Sequence, residues 1–81
     1  NHELFCIYPN PAVDYITIGN LHPLQQATTI VIYDISGKEV LRKRFNKQIA
    51  SIDISNLENG IYFIKKINDK IQTRKFIVQK H

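Results

Sequence analysis

Residues 57–64 read LENGIYFI, and this stretch carries the clearest indication of the fold. Asn59-Gly60 is a turn sequence, and a run of β-branched and aromatic residues follows it directly. Tyr62 stands at the start of that run, just after the turn. At this place β-sandwiches carry a tyrosine corner, in which the tyrosine hydroxyl bonds to backbone a few residues upstream. The stretch therefore predicts a late strand of a β-sandwich.

On both sides of this stretch, apolar residues recur at two-residue spacing in short runs. Such a pattern is typical of strands, and no segment keeps a helical period for more than about two turns. Residues 28–34, TTIVIYD, give one example: Ile30 and Ile32 share one face, and Val31 and Tyr33 share the other. The pattern predicts strands at residues 5–7, 16–18, 28–34, 40–45, 52–54, 60–67 and 70–78.

Turn residues separate these strands. We expect Gly19-Asn20 to end the second strand, and Ser36-Gly37-Lys38 to connect the third to the fourth, with Asp34 bonding nearby backbone N–H groups. Asn68-Asp69 has the length and chemistry of a two-residue hairpin turn. Short strands with turns about every eight to twelve residues predict an all-β fold. The fold class is an immunoglobulin-like β-sandwich of about seven antiparallel strands, one domain spanning residues 1–81.

Size and composition exclude several classes of protein. The chain has 81 residues and a mass of 9.4 kDa, and 43% of its residues are hydrophobic and 22% charged, which is typical of one small globular domain. A chain this short buries only about 60% of its extended surface, which leaves little room for an internal active-site cavity. No apolar run approaches the ~18 residues of a membrane-spanning helix. The single cysteine, Cys6, cannot form a disulfide within the chain.

The positive charge is concentrated near the end of the chain. The formal net charge is +4, but residues 65–81 contain six basic residues and one acidic residue, and the preceding residues have a net charge of −1. A basic end can bind nucleic acid, an anionic surface or a partner protein, or it can be a solvated strand face. An apolar and basic strand at a sheet edge is suited to recognition by another protein through strand addition.

The residues that could carry catalysis do not form a recognisable constellation. Cys6 lies in a strand-like run, and we interpret it as a small core or half-buried residue, because no helix N-terminus or basic neighbour is evident that would activate it as a nucleophile. Asp14, Asp34 and Asp53 border strands, where aspartate commonly caps turns. The sequence contains no HxH, HExxH or CxxC spacing and no phosphate-binding glycine loop. We therefore expect no enzymatic activity, no cofactor and no metal site.

Four segments together resemble a known family. Residues 7–12, IYPNPA, look like the opening YPNP motif of the type A C-terminal sorting domains of the type IX (Por) secretion system. Residues 31–38, VIYDISGK, resemble its central hairpin, and residues 53–64 resemble its L-x-x-G-x-Y stretch. Residues 75–80, KFIVQK, are similar to its basic terminal strand. The resemblance covers nearly the whole chain, with the segments in the family's order.

The resemblance implies a non-catalytic sorting signal in bacteria of the Bacteroidetes type. A passenger protein fused on the N-terminal side would be exported into the periplasm by the Sec pathway. It would then pass through an outer-membrane translocon with the help of an outer-membrane shuttle protein. A sortase-like cysteine peptidase would remove the domain at the surface, and the passenger would be attached there or released. The implied recognition residues are Lys75, Phe76, Ile77, Val78, Gln79 and Lys80. The other matching motif residues, interpreted as fold determinants, are Pro9, Asn10, Pro11, Asp34, Gly37, Leu57, Gly60 and Tyr62.

Two other functions are compatible with a small sandwich. An accessory module that binds carbohydrate or spaces an enzyme from a surface would need a row of exposed tyrosine or tryptophan, whereas the four tyrosines fall in separate strands and tryptophan is absent. A nucleic-acid binder would need aromatic residues on an exposed basic platform, and no RNP-like or KH-like motif is present, so we expect no nucleic-acid partner. Open edge strands would also allow a homodimer to form by strand addition or swapping.

Overall fold

The computed structural model describes residues 5–20, 27–67 and 71–80. These residues form seven strands and no helix, which confirms the all-β prediction. The strands are β1 (Phe5–Tyr8), β2 (Tyr15–Asn20), β3 (Thr28–Tyr33), β4 (Glu39–Phe45), β5 (Ile49–Asp53), β6 (Gly60–Ile67) and β7 (Ile71–Val78). They pair antiparallel in two sheets, a three-stranded sheet of order β1-β2-β5 and a four-stranded sheet of order β4-β3-β6-β7.

The position of β4 distinguishes this sandwich from an immunoglobulin constant domain. In a constant domain the fourth strand joins the sheet of the first, second and fifth strands. Here β4 pairs with β3, because the connection between them is a tight turn at residues 34–38 that returns the chain directly alongside. The fourth strand therefore adds its side chains to the sheet that also holds the last two strands.

Alternation along the strands builds the core between the sheets. On β3, Ile30 and Ile32, which were predicted to share a face, both point into the core, and on β6, Tyr62 and Ile64 do the same. Val31 is also fully buried, but on the opposite face of β3, where its cross-strand neighbours come from both β4 and β6. The core cluster comprises Phe5, Ala12, Ile16, Ile18, Ile30, Ile32, Ile52, Ile54, Leu57, Tyr62, Ile64, Phe76 and Val78.

One predicted strand end is wrong. We expected Gly19-Asn20 to end the second strand, but β2 continues through both residues. Gly19 pairs with Cys6 on one side and with Ile49 on the other, so ladders on both sides hold it in extended conformation. The predicted Asn68-Asp69 turn lies outside the described residues. Over the described residues there is no helix long and apolar enough to span a membrane.

Candidate functional site

The implied recognition segment alternates between buried and exposed side chains. Phe76 and Val78 lie in the core, with 0% and 1% of their surfaces exposed, whereas Lys75, Ile77 and Gln79 are exposed. This alternation follows from the period of two along β7, which is the edge strand of the four-stranded sheet. The segment thus combines core residues with a row of side chains that another molecule can contact.

The opening motif covers the end of β7. The Ala12 N–H donates to the Ile77 carbonyl (2.7 Å), and the Gln79 N–H donates to the Ala12 carbonyl (2.8 Å). The side-chain oxygen of Asn10 accepts the N–H of Ile77 at 3.0 Å. Ala12 therefore forms a parallel bridge beside Val78 and extends the four-stranded sheet by one residue. Pro9 and Pro11 flank Asn10, and because proline lacks an N–H, the chain here crosses between sheets instead of continuing β1.

Among residues 5–20, 27–67 and 71–80, no strand pairs with the edge of β7 that precedes this cover. The N–H and C=O of Ile77 point away from β6, toward Asn10 and Ala12. Alternate residues of a strand direct their backbone groups to the same side, so those of Ile71, Thr73 and Lys75 also point away from β6. Strand addition on β7 would therefore have to use residues 71–75 and stop at the opening motif.

The end of the segment is held by the connection between β5 and β6. The Lys80 N–H donates to the side-chain oxygen of Asn59 at 2.8 Å, and the Lys80 ammonium donates to the Ser55 carbonyl at 2.6 Å. In the same connection, Leu57 is buried and its N–H bonds to the Ile54 carbonyl at 2.9 Å. Lys80, the last basic residue of the recognition segment, therefore holds the end of that segment against the sandwich.

Tyr62 links the L-x-x-G-x-Y stretch to β7. Its hydroxyl donates to the Glu58 carbonyl at 2.7 Å, which confirms the predicted tyrosine corner. Its ring stacks on Phe76, with ring centroids 5.8 Å apart and planes inclined by 26°. Burial raises the pKa of Tyr62, so the hydroxyl stays protonated and able to donate. Gly60, which precedes this corner, begins β6 opposite Val78.

The central hairpin motif forms a capped turn. Asp34 Oδ1 accepts the Ser36 hydroxyl (2.7 Å) and the N–H groups of Ser36 and Lys38 (both 2.9 Å). These donors lower the pKa of Asp34 below its usual value of 3.8, and the Ser36 hydroxyl has the largest effect. Gly37 has a φ of +91°, a conformation that side chains disfavour, and its N–H bonds to the Asp34 carbonyl at 2.9 Å. Both motif residues therefore build the turn, as predicted for Asp34.

Comparison with known protein families identifies this arrangement. The family model for the secretion system C-terminal sorting domain matches residues 6–79. The chain belongs to this family. The match takes in the opening motif, the hairpin, the L-x-x-G-x-Y stretch and the terminal strand up to Gln79, and it confirms the resemblance to the type IX sorting domains. A search of curated proteins returned no match.

Membership implies that the sorting domain acts as a type IX C-terminal sorting signal and that its route leads to the cell surface. Its motif segments lie far apart along the chain, yet two of them meet the terminal strand at β7. The opening motif covers the edge, the L-x-x-G-x-Y stretch supplies Tyr62 beneath it, and Asn59 holds its end. Asn10, Asn59 and Tyr62 thus each contact the terminal segment, residues 75–80.

The positive charge of the sorting domain extends beyond the basic end at residues 65–81. The strands of the four-stranded sheet contain seven basic residues and one acidic residue, whereas those of the three-stranded sheet contain one acidic residue and no basic one. β4 contributes three of the seven basic residues, and its Arg42 and Arg44 share a face with Lys65 and Lys75. Sequence reasoning missed these two arginines, because only the pairing of β3 with both β4 and β6 brings them together.

The prediction for Cys6 of the sorting domain is wrong. The residue is exposed, not in the core or half-buried, because the side chains of β1 that point inward are those of Phe5 and Ile7. Its thiol approaches the Gly19 carbonyl at 3.6 Å. Over residues 5–20, 27–67 and 71–80, no group of three or more His, Cys, Asp or Glu could hold a metal ion.

Proposed function

We propose that residues 1–81 form a single non-catalytic sorting signal for a passenger protein fused on the N-terminal side. In this proposal the passenger leaves the cytoplasm by Sec export and crosses the outer membrane from the periplasm through the type IX translocon. The family match over residues 6–79 is the observation that carries the proposal. An outer-membrane shuttle protein and a sortase-like cysteine peptidase are the further partners, and the peptidase removes the domain at the cell surface, where the passenger is attached or released.

Within this function, residues 75–80 are the proposed recognition segment. Phe76 and Val78 serve the fold, since both are buried. The transport machinery would therefore contact the exposed alternate positions, Lys75, Ile77 and Gln79. The opening motif supports this division because it holds the backbone of residues 77–79 in one conformation.

A secretion assay tests the proposal. A fluorescent passenger with a Sec signal is fused to residues 1–81 and produced in a host with an intact type IX system, beside the same passenger without the domain. Truncation after Thr73 would remove the core residues Phe76 and Val78, so its effect would not separate recognition from folding. A Lys75→Ala/Ile77→Thr variant keeps both core residues. Lys38→Ala/Ile35→Thr is its matched control, because those two residues are exposed in the β3–β4 turn.

We expect the complete fusion to reach the surface or medium and the Lys75→Ala/Ile77→Thr variant to accumulate in the periplasm. The control variant should be exported like the parent. The exported passenger should also lose the mass of the domain, which an immunoblot detects. Retention of the complete fusion in a host that exports its own cargo would refute the sorting function, and equal export of both variants would refute the recognition segment.

A homodimer through edge strands is a further part of the proposal. The edge at residues 71–75, which no described strand pairs with, supports it, whereas the covered end of β7 limits the length of any shared ladder. Light scattering after size exclusion, across a range of protein concentration, would show a mass that rises with concentration. A constant monomer mass would rule the dimer out.

One observation favours the accessory carbohydrate-binding module as a second candidate. Tyr8 and Tyr15 are about half exposed and lie on the outer face of the three-stranded sheet, because Tyr8 pairs with Thr17, two residues from Tyr15. Exposed aromatic rings at diagonal positions can stack on sugar rings. Titration with soluble polysaccharides should then show binding that a Tyr8→Ala/Tyr15→Ala variant loses. No binding by the parent domain would exclude this function.

A further inference from the structure

The four-stranded sheet has an outer face, which we define as the side chains that point away from the core. Strand register places this face in rows across β4, β3, β6 and β7. The first row reads Arg44, Thr29, Ile67 and Ile71, and the second reads Arg42, Val31, Lys65 and Thr73. The third row reads Glu39, Tyr33, Phe63 and Lys75, and the fourth reads Ile61 and Ile77. Strands distant in sequence thus build one continuous surface.

Positive charge dominates the outer face. Its rows contain four basic residues and one acidic residue, Glu39. The Glu39 carboxylate already binds Arg42 at 2.8 Å, and this bond lowers the pKa of Glu39. The ammonium of Lys65 lies 5.1 Å from the centre of the Tyr33 ring, so it stays on the face. Arg44 and Lys75 are exposed, and the acidic residue in these four rows, Glu39, is already bound to Arg42.

Apolar side chains lie at both ends of the outer face, because Ile67 and the exposed Ile71 stand in the first row beside the isoleucines of the fourth. Ile61 and Ile77 lie directly opposite each other and are 40% and 38% exposed. Phe63 adjoins Ile61 on the same face of β6 and is half-buried. A patch of apolar and aromatic residues beside arginine is the composition found at protein interfaces.

We propose that the outer face docks an acidic protein surface of the export machinery that also presents an apolar patch. This inference rests on the proposed function. A second copy of the domain on the same face would oppose cations to cations, so charge disfavours self-association there. Tyr33 and Phe63 are only partly accessible, and Lys65 lies over Tyr33, so the rings are poorly placed to stack on bases.

Charge reversal in the secretion assay tests the proposal. The Arg44→Glu/Lys65→Glu variant alters the outer face and leaves residues 75–80 untouched. Its matched control, Lys43→Glu/Lys47→Glu, changes the net charge equally but lies off this face. We expect export of the outer-face variant to fall about tenfold, because reversed charges at an interface repel the partner, and export of the control to stay near the parent value. Thermal melting followed by circular dichroism verifies that both variants fold.

Photo-cross-linking identifies what occupies the face. A benzophenone side chain at Ile61 should form a discrete protein adduct during export, and the Arg44→Glu/Lys65→Glu change should abolish it. Purified domain is tested in parallel against phosphatidylglycerol vesicles and a single-stranded DNA oligomer. Binding to either that depends on Arg44 and Lys65, without a protein adduct, would overturn the proposal in favour of that ligand.

The outcomes of the export assay separate this proposal from the function on which it rests. If the parent fusion is exported and the outer-face variant is exported equally well, the docking surface is refuted and the sorting function stands. If the parent fusion is retained, both fail together.

Discussion

Replacing Phe76 by alanine should destabilise the domain more than any neighbouring substitution in the recognition segment. The ring is fully buried and stacks on Tyr62 at 5.8 Å. Removing a buried phenylalanine side chain costs about 3–5 kcal/mol, and the stacked pair contributes about 0.5–1.5 kcal/mol of that loss. A domain of this size has a free energy of unfolding of about 4–12 kcal/mol, so Phe76→Ala would remove a large share of it.

Urea unfolding followed by circular dichroism measures this loss. With a urea m-value of about 1 kcal/mol/M for a small domain, the midpoint should fall by about 3 M or more. Ile77→Ala is the matched control, because the adjacent side chain is 38% exposed on the outer face, and its cost should be about 1 kcal/mol or less. Equal losses for the two variants, or a loss below about 1 kcal/mol for Phe76→Ala, would refute the assignment of alternate residues of β7 to the core.

Three further predictions concern polar contacts. Tyr62→Phe removes the 2.7 Å bond of the tyrosine corner and should cost about 1 kcal/mol, or a fall of about 4–8 °C in the melting temperature; an unchanged Tm would contradict this. Asn10→Ala removes the acceptor of the Ile77 N–H and should speed amide hydrogen exchange at Ile77, whereas unchanged exchange would show that Asn10 does not protect this edge. The lowered pKa of Asp34 means that its stabilising contribution is present above about pH 4 and is lost as pH falls through the folded-state pKa. The urea midpoint should therefore decrease less at acid pH for Asp34→Asn than for the parent. An equal decrease in both proteins would show that other carboxyl groups cause it.

The motifs of the sorting domain are connected through the terminal strand. Asn10 and Ala12 cover the edge of β7, Asn59 and Ser55 fix the backbone and ammonium of Lys80, and Tyr62 lies against Phe76. A change in a motif distant in sequence would therefore alter the conformation or the stability of residues 75–80. Loss of export after a substitution in the opening motif would consequently not imply direct contact between that motif and the translocon.

Local patterns predicted much of the fold. The period of two put Ile30 and Ile32 on one face of their strand, and both are buried in the core. The turn chemistry of Asp34 was also predicted, because an aspartate bonds backbone N–H groups only a few residues away. Gly19 misled the strand prediction, since the ladders that keep β2 extended there come from strands that are distant in sequence.

The sequence by itself determined the fold class, the number of strands, the tyrosine corner and the family resemblance, since these depend on spacings within short segments. Only the tertiary structure decided that the opening motif covers β7, because this contact joins residues 10–12 to residues 77–79. It also decided that β4 joins the sheet of the terminal strand and so puts Arg42 and Arg44 on the same face as Lys65 and Lys75. Side-chain periodicity specifies which face of a strand is buried, but the order of strands in a sheet depends on long-range pairing, and it is this order that assembles the basic face.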